Sequence, residues 1–258
     1  MVSEYNVSDP ALKDGVPCTI LVVVIDVETL HSAQDCRHCG MAEEQHGFHN
    51  ICETPDLRMI GARHTPIGWE DHAVLGLSIG CLYRYDTGRY QFFDSHTLEA
   101  TMRWLVEAQP LLVSFNGRAF DVPLMRAVLL CSTVFSATAR DITTRNPATM
   151  ALLCDAFEGV STMGYDILAE IWAVDPDRQF GHDVNSLDAI SQANGYGAKE
   201  MDGATAPRLW AGGHHAAVAN YCMSDVLKTK RLFDRIIETG EILRGDGKPI
   251  RLRSPFAT

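Results

Sequence analysis

The sequence lacks an excess of positive charge. Its 258 residues include 22 Lys and Arg against 33 Asp and Glu, which gives a formal net charge of −11. Proteins that grip duplex nucleic acid usually present a basic face to the phosphates, so this composition argues against such a surface over the chain as a whole. It does not exclude a nucleic-acid enzyme, because bound divalent cations can offset acidic residues locally.

Long apolar runs are also missing. The longest, from Ile20 to Ile25, is far too short to cross a bilayer, and the first 15 residues are polar and acidic, unlike a signal peptide. Eight scattered cysteines are typical of reduced thiols rather than of a disulfide framework. We therefore expect a cytoplasmic protein that makes no contact with a membrane.

Strand patterns and helix patterns follow one another along the chain. Strands are predicted at 18–26, 73–84, 89–94 and 111–115, and helices at 99–108, 119–131, 164–173, 186–193 and 215–238. The first strand is apolar throughout, which predicts a central position in an α/β sheet. We expect it to form an antiparallel meander with the next two strands and to lie parallel to the fourth, with helices on both faces.

A single α/β domain accounts for this pattern. We predict an N-terminal arm at 1–17, the domain at 18–240 and a C-terminal tail at 241–258. The segment 31–71 has little periodicity and many Cys and His residues, and we interpret it as a long loop inserted into the domain.

Acidic residues occur at three places that such a fold can bring together. Asp26 and Glu28 end the first strand and, as alternate residues, share one face of it. Asp121 lies early in a helix, and Tyr221 and Asp225, four residues apart, share one face of the last helix. Each position alone has an ordinary explanation, such as a surfacing strand or a carboxylate at a helix start. Four carboxylates in one pocket, however, would need cations such as Mg²⁺ or Mn²⁺.

In this order and spacing the residues resemble the motifs of a known family. The chain is similar to the DEDD-type 3′–5′ exonucleases of the ribonuclease H-like superfamily, in the subgroup with a tyrosine in the third motif. Within that subgroup it resembles the stand-alone exonucleases related to the proofreading domain of B-family DNA polymerases. Asp26 and Glu28 match the first motif, the segment 116–121 (NGRAFD) the second, and Tyr221 with Asp225 the third.

The resemblance implies a fold and an activity. The fold would be a mixed sheet of five or six strands with helices on both faces. The activity would be hydrolysis of phosphodiester bonds from a 3′ end, with release of nucleoside monophosphates. Asp26 would bridge two Mg²⁺ or Mn²⁺ ions. Glu28 and Asp225 would complete one metal site, and Asp121 would support the other. Tyr221 would orient the attacking water.

The resemblance also implies where the substrate lies. Asn116 and Phe120 would hold the terminal nucleotide, and Thr29 and Leu30 would line the floor near its base. The acidic composition favours a single-stranded DNA 3′ end over a duplex. RNA is an alternative, as in an exoribonuclease or an oligoribonuclease-like enzyme, because a contact to the 2′-hydroxyl depends on the shape of the pocket. A further alternative is a nuclease-like subunit that binds a protein partner through the insert. The sequence identifies no such partner.

The insert contains a candidate zinc site. Cys36 and Cys39 have the Cys-x-x-Cys spacing that zinc sites often use, and His49 and Cys52 could supply two further ligands. A structural Zn²⁺ ion would order a loop that has few apolar residues. The alternative is a loop over the site in which Cys and His are incidental.

Overall fold

The computed structural model describes residues 4–6, 20–35, 66–135, 146–175, 182–199, 201 and 203–256. The strands are β1 (Glu4–Asn6), β2 (Val22–Thr29), β3 (Leu77–Arg84), β4 (Arg89–Phe93), β5 (Leu111–Ser114), β6 (Tyr165–Asp166), β7 (Glu241–Leu243) and β8 (Pro249–Arg251). The helices are α1 (His72–Leu75), α2 (Leu98–Ala108), α3 (Asp121–Phe135), α4 (Pro147–Thr162), α5 (Ile167–Val174), α6 (His182–Asn185), α7 (Leu187–Ala193), α8 (Ala206–Ala211) and α9 (His215–Thr239), and a 3-10 turn covers Gly203–Thr205.

One mixed sheet organises the chain. Its strand order is β1-β4-β3-β2-β5-β6. β2 pairs antiparallel with β3, β3 pairs antiparallel with β4, and β5 lies parallel to β2 on its other side. The predicted meander, the parallel fourth strand and the central position of the first are therefore confirmed, and the fold is ribonuclease H-like.

The two faces of β2 bury different residues. Val23, Ile25 and Val27 face a core that also contains buried side chains of α2, α3 and α4. Val22 and Val24 face a second core, to which α5, α7 and α9 contribute. Alternate side chains of a strand point to opposite faces, so an apolar run of this kind requires cover on both sides. Helices on both faces were predicted, and this prediction is confirmed.

Some predicted strand boundaries are wrong. β2 continues to Thr29 rather than ending at residue 26, because β3 keeps pairing with it across the two carboxylates, with Asp26 opposite Cys81 and Glu28 opposite Ile79. The strand predicted at 73–84 starts only at Leu77. The residues before it form α1, and Gly76, at φ 64°, turns the chain from that helix into the strand.

The last helix and the residues after it complete the second core. α9 spans His215–Thr239, as the predicted helix at 215–238 does within a residue. β7 and β8 then form a hairpin, which Asn194 ties to the end of α7 through hydrogen bonds to the backbone of Leu243. The proposed domain boundaries remain a prediction. Within the described ranges, no helix combines the length and the apolarity that crossing a membrane requires.

Candidate active site

The first pair of predicted ligands comes from β2. Asp26 and Glu28 lie on the face of the strand that Val22 and Val24 share, so both carboxylates point toward α9. Glu28 is 8% exposed. The register of β2 against β3 shifts between Glu28 and Thr29, so the strand is irregular directly after the second carboxylate. One face of the strand thus carries core packing at Val22 and Val24 and acidic side chains at Asp26 and Glu28.

Asp121 is the first residue of α3 and directly follows the loop between β5 and that helix. It is 4% exposed, and the backbone N–H of Val27 donates a hydrogen bond to its carboxylate. The loop is held by Asp166, whose carboxylate accepts hydrogen bonds from the N–H of Asn116 at 3.0 Å and from the N–H of Arg118 at 2.9 Å. Asn116 has φ 69°, so the turn depends on this support. Asp166 therefore positions the second motif without belonging to it.

Asp166 also begins a helix. Its Oδ1 atom accepts hydrogen bonds from the N–H groups of Leu168 and Ala169, as the N-cap residue of α5. One buried carboxylate thus joins β6, α5 and the second-motif loop. The three motifs do not include this residue, and in the sequence an aspartate before a helix indicates no more than an ordinary N-cap.

The third motif lies on α9. Tyr221 and Asp225 are 3% and 2% exposed and lie on the face of the helix that packs toward β2. Lys199 connects them, because its Nζ donates to the Tyr221 hydroxyl oxygen at 2.8 Å and to Asp225 Oδ2 at 2.6 Å. Lys228 Nζ lies 3.4 Å from the other oxygen of Asp225. Two ammonium groups thus contact one carboxylate.

Lys199 belongs to the acidic site, although none of the motifs includes it. Its side chain is only 27% exposed and lies within the acidic site. Two arginines, one within the second motif and one after it, have other partners. Arg118 donates to backbone carbonyl groups of residues 162 and 164, and Arg126 pairs with Asp155 and Glu158.

A cleft of about 570 Å³ collects these side chains. It is lined by all five predicted catalytic residues and by three of the four predicted substrate contacts, namely Asp26, Glu28, Asp121, Tyr221, Asp225, Thr29, Asn116 and Phe120. The fourth contact, Leu30, does not line the cleft, and its side chain is 38% exposed. Trp69 and Lys199, which the motifs do not include, line it as well.

Like charges dominate the electrostatics of the cleft. Burial, and then repulsion by Asp225, raises the pKa of Asp26 to about 8. Burial followed by repulsion from Asp26 likewise raises the pKa of Glu28 and that of Asp121 well above their ordinary values. The site therefore holds more carboxylate groups than Lys199 and Lys228 can neutralise.

The donor atoms fit a hard divalent cation. Within the described part of the chain, three potential ligand atoms lie within 4.8 Å of one another, one each from Asp26, Glu28 and Cys222. Burial raises the pKa of the Cys222 thiol, which lies 3.7 Å from Asp26 Oδ2 as a weak hydrogen-bond donor. A protonated thiol is a poor ligand, so carboxylate oxygens remain, and these are the donors that Mg²⁺ and Mn²⁺ prefer. The zinc set Cys36, Cys39, His49 and Cys52 lies outside the described residues.

Comparison with known proteins identifies the family. A family model described as "predicted 3′-5′ exonuclease related to the exonuclease domain of PolB" matches residues 85–246, which is more than half of the chain. The chain belongs to this family. Membership confirms the resemblance inferred from the motifs. The matched segment contains the second and third motifs and begins after β2, so the assignment of Asp26 and Glu28 to the site depends on the geometry.

A solved structure is also similar to the chain. It is the structure of the family B DNA polymerase from the hyperthermophilic archaeon Pyrobaculum calidifontis, with 14% sequence identity and a TM-score of 0.48. The similarity covers 87% of this chain and 25% of the polymerase chain, so the chain matches a quarter of that protein's length. The curated proteins that were compared with the chain gave no match.

The loop packs closely against the site at Gly117. A Cβ atom there would lie 2.5 Å from Ser114 Cβ and 2.9 Å from Asp121 Oδ2. Gly117→Ala should therefore displace the Asp121 carboxylate and lower the free energy of unfolding by about 1–3 kcal/mol, measured by urea denaturation. Gly159→Ala is the control, because no atom lies within 4 Å of its added Cβ and alanine favours the helix. Equal stability of the two variants would contradict this description of the loop.

The raised pKa values predict how stability depends on pH without metal. Asp26 titrates at 3.8 when unfolded and at about 8 when folded, so the folded state binds more protons between these values. Its contribution to stability is present below about pH 4 and is lost as the pH rises toward 8. In EDTA, the free energy of unfolding should fall between pH 5 and pH 8, and should fall less in Asp26→Asn. Parallel curves for wild type and variant, measured by urea denaturation, would refute this.

Proposed function

We propose that the chain is a two-metal 3′–5′ exonuclease that prefers single-stranded DNA and releases nucleoside 5′-monophosphates. The observation that carries the proposal is the convergence of four carboxylates and one tyrosine, from β2, α3 and α9, in one cleft. Family membership supports exonuclease activity in general terms. The metals, the type of strand and the product are inferred from the chemistry of the cleft.

The carboxylates supply the metal ligands in this proposal. Repulsion by Asp26 contributes to the raised pKa of both Glu28 and Asp121, so its carboxylate lies near both. As the resemblance to DEDD-type exonucleases implies, Asp26 would bridge two ions, with Glu28 and Asp225 at one of them and Asp121 at the other. When bound, such ions activate water and stabilise the charge that develops on the phosphate and on the leaving oxygen.

Tyr221 orients the attacking water. Burial raises the pKa of its phenol further above the ordinary value, so the hydroxyl group keeps its proton at neutral pH and does not act as a base. Lys199 can only donate hydrogen bonds, and it donates one to the phenol oxygen at 2.8 Å. The phenol O–H therefore remains available to donate to a water, and Lys199 fixes its position.

The cleft supports a single strand as substrate. The chain has a net charge of −11, and a duplex would need a broad basic surface to compensate its phosphates. Threading one strand into the cleft requires contacts to few phosphates, and aromatic side chains such as Phe115 and Phe120 can contact bases of any sequence. The same site chemistry would act on RNA, so substrates that differ only in the sugar separate the two activities.

End-labelled substrates test the polarity of the reaction. With Mg²⁺ or Mn²⁺, a 3′-labelled single-stranded DNA should release labelled mononucleotide from the first turnover, whereas a 5′ block should have no effect. A 3′-phosphate should slow release, and a matched duplex should be degraded only as its end frays. Release from the 5′ end, or cutting within a circular single strand, would overturn the proposal. Faster digestion of the RNA counterpart would reassign the enzyme as an exoribonuclease.

Variants of the acidic site test the mechanism in the same assay. Asp26→Asn removes the bridging carboxylate and should lower kcat about a thousandfold or more. Tyr221→Phe removes the hydroxyl that accepts from Lys199 and orients the water, leaves the carboxylates in place, and should cost about tenfold. Asp155→Asn is the control, because it removes an exposed carboxylate of α4 and should retain wild-type activity. Wild-type rates in Asp26→Asn would be incompatible with the mechanism.

A further inference from the structure

We propose that Trp69 stacks on the base of the 3′-terminal nucleotide, so that excision depends on whether a base is present there. The inference rests on the proposed function and concerns a residue outside the three motifs. Trp69 lies in the insert, lines the cleft and is 54% exposed. A large aromatic side chain that keeps more than half of its surface exposed beside buried carboxylates is available to a ligand.

The turn that carries Trp69 is anchored to residues 33–35, which follow the strand that carries the carboxylates. Just before it, the N–H of Ile67 donates to the carbonyl of Asp35 at 3.0 Å, and the N–H of Gly68 donates to that of Ala33 at 2.9 Å. Ile67 is buried in the core at 3% exposure. Gly68 adopts φ 81°, which a glycine tolerates. The indole is thus presented from a fixed position.

Aromatic rings form one wall of the cleft at this place. The ring centroids of Trp69 and Phe120 are 6.1 Å apart at an interplanar angle of 68°, and His72 contacts the same phenyl ring at 5.6 Å. Stacking on aromatic side chains does not depend on base identity, because every base has a π-face. This wall suits an enzyme that removes any nucleotide in turn.

The direction of the strand through the site assigns the terminal base to this wall. A second cavity, of about 640 Å³, shares Asp26 and Asp225 with the cleft, but neither Tyr221 nor Trp69 lines it. In an in-line displacement the water enters opposite the leaving oxygen, which here is the 3′-oxygen of the upstream nucleotide. Because Tyr221 orients the water, the upstream strand lies on the other side, in the second cavity. The terminal nucleotide then lies on the side of Trp69.

The second cavity has the character that this assignment requires. Its lining includes the polar side chains of Asn116, Ser186 and Lys199 beside apolar residues such as Leu168 and Met201. Hydroxyl, amide and ammonium groups can contact the sugar and phosphate groups of a passing strand. The two cavities therefore divide the substrate at the scissile bond.

Kinetics with and without a terminal base test the inference. Stacking holds the base equally in the ground state and in the transition state, so Trp69→Ala should raise KM for the first excision and leave kcat nearly unchanged. The expected rise lies between about fivefold and about a hundredfold. Trp69→Phe should retain most of the affinity. On a strand whose last nucleotide is abasic, wild type and Trp69→Ala should have the same KM for the first excision. Met163→Ala, at an exposed apolar position of 82% exposure, is the control.

A binding measurement separates this inference from the proposed function. A single strand that ends in 2-aminopurine is titrated with protein in EDTA, so that no hydrolysis occurs. Wild type should quench the fluorescence of the terminal base, and Trp69→Ala should not. The stacking role would be overturned if Trp69→Ala raised KM equally on abasic and ordinary ends. It would also be overturned if the Trp69→Ala variant still quenched the fluorescence. Quenching by a wild-type protein that degrades no 3′ end would refute the exonuclease proposal and support the stacking role.

Discussion

Repulsion among buried carboxylates is the constraint around which this protein is arranged. The central strand carries Asp26 and Glu28 on the face that α9 covers, and α9 adds Asp225 to the same cleft. Groups of like charge in the interior destabilise a fold unless they bind protons or cations. Lys199 and Lys228 contact Asp225 and supply part of the compensation. A divalent cation would supply the rest. Without the cation, the uncompensated carboxylates lower the stability of the fold, which is a common cost of a functional site.

The surrounding structure keeps the carboxylates in place against that repulsion. Asp166 fixes the loop before Asp121 through two backbone hydrogen bonds, and Gly117 leaves no room for a side chain between the loop and the strand. Lys199 holds Tyr221 and Asp225 together. Each of these residues acts on a motif that is distant in sequence. Precise metal sites need this support, because ligands alone do not fix their own orientation.

The sequence predicted the features that depend on local pattern. The apolar run before Asp26 indicated a central strand, and the spacing of Tyr221 and Asp225 indicated one helix face. Features that depend on distant partners were missed. Asp166 acts on backbone groups 48 and 50 residues away, which no local pattern reveals. The extension of β2 to Thr29 is decided by its pairing with β3. Lys199 precedes Tyr221 by 22 residues, in a segment without periodicity.

Binding of Mn²⁺ tests most directly whether the acidic cleft is a metal site. Titration followed by electron paramagnetic resonance, with a nucleoside 5′-monophosphate present, counts the bound ions. Wild type should bind two Mn²⁺ ions per chain, as should Asp155→Asn, whose carboxylate is exposed at the surface. Asp26→Asn should lose at least one ion, because a bridging carboxylate serves both. A wild-type protein that binds no Mn²⁺, or an Asp26→Asn variant that binds as many ions as wild type, would contradict the account.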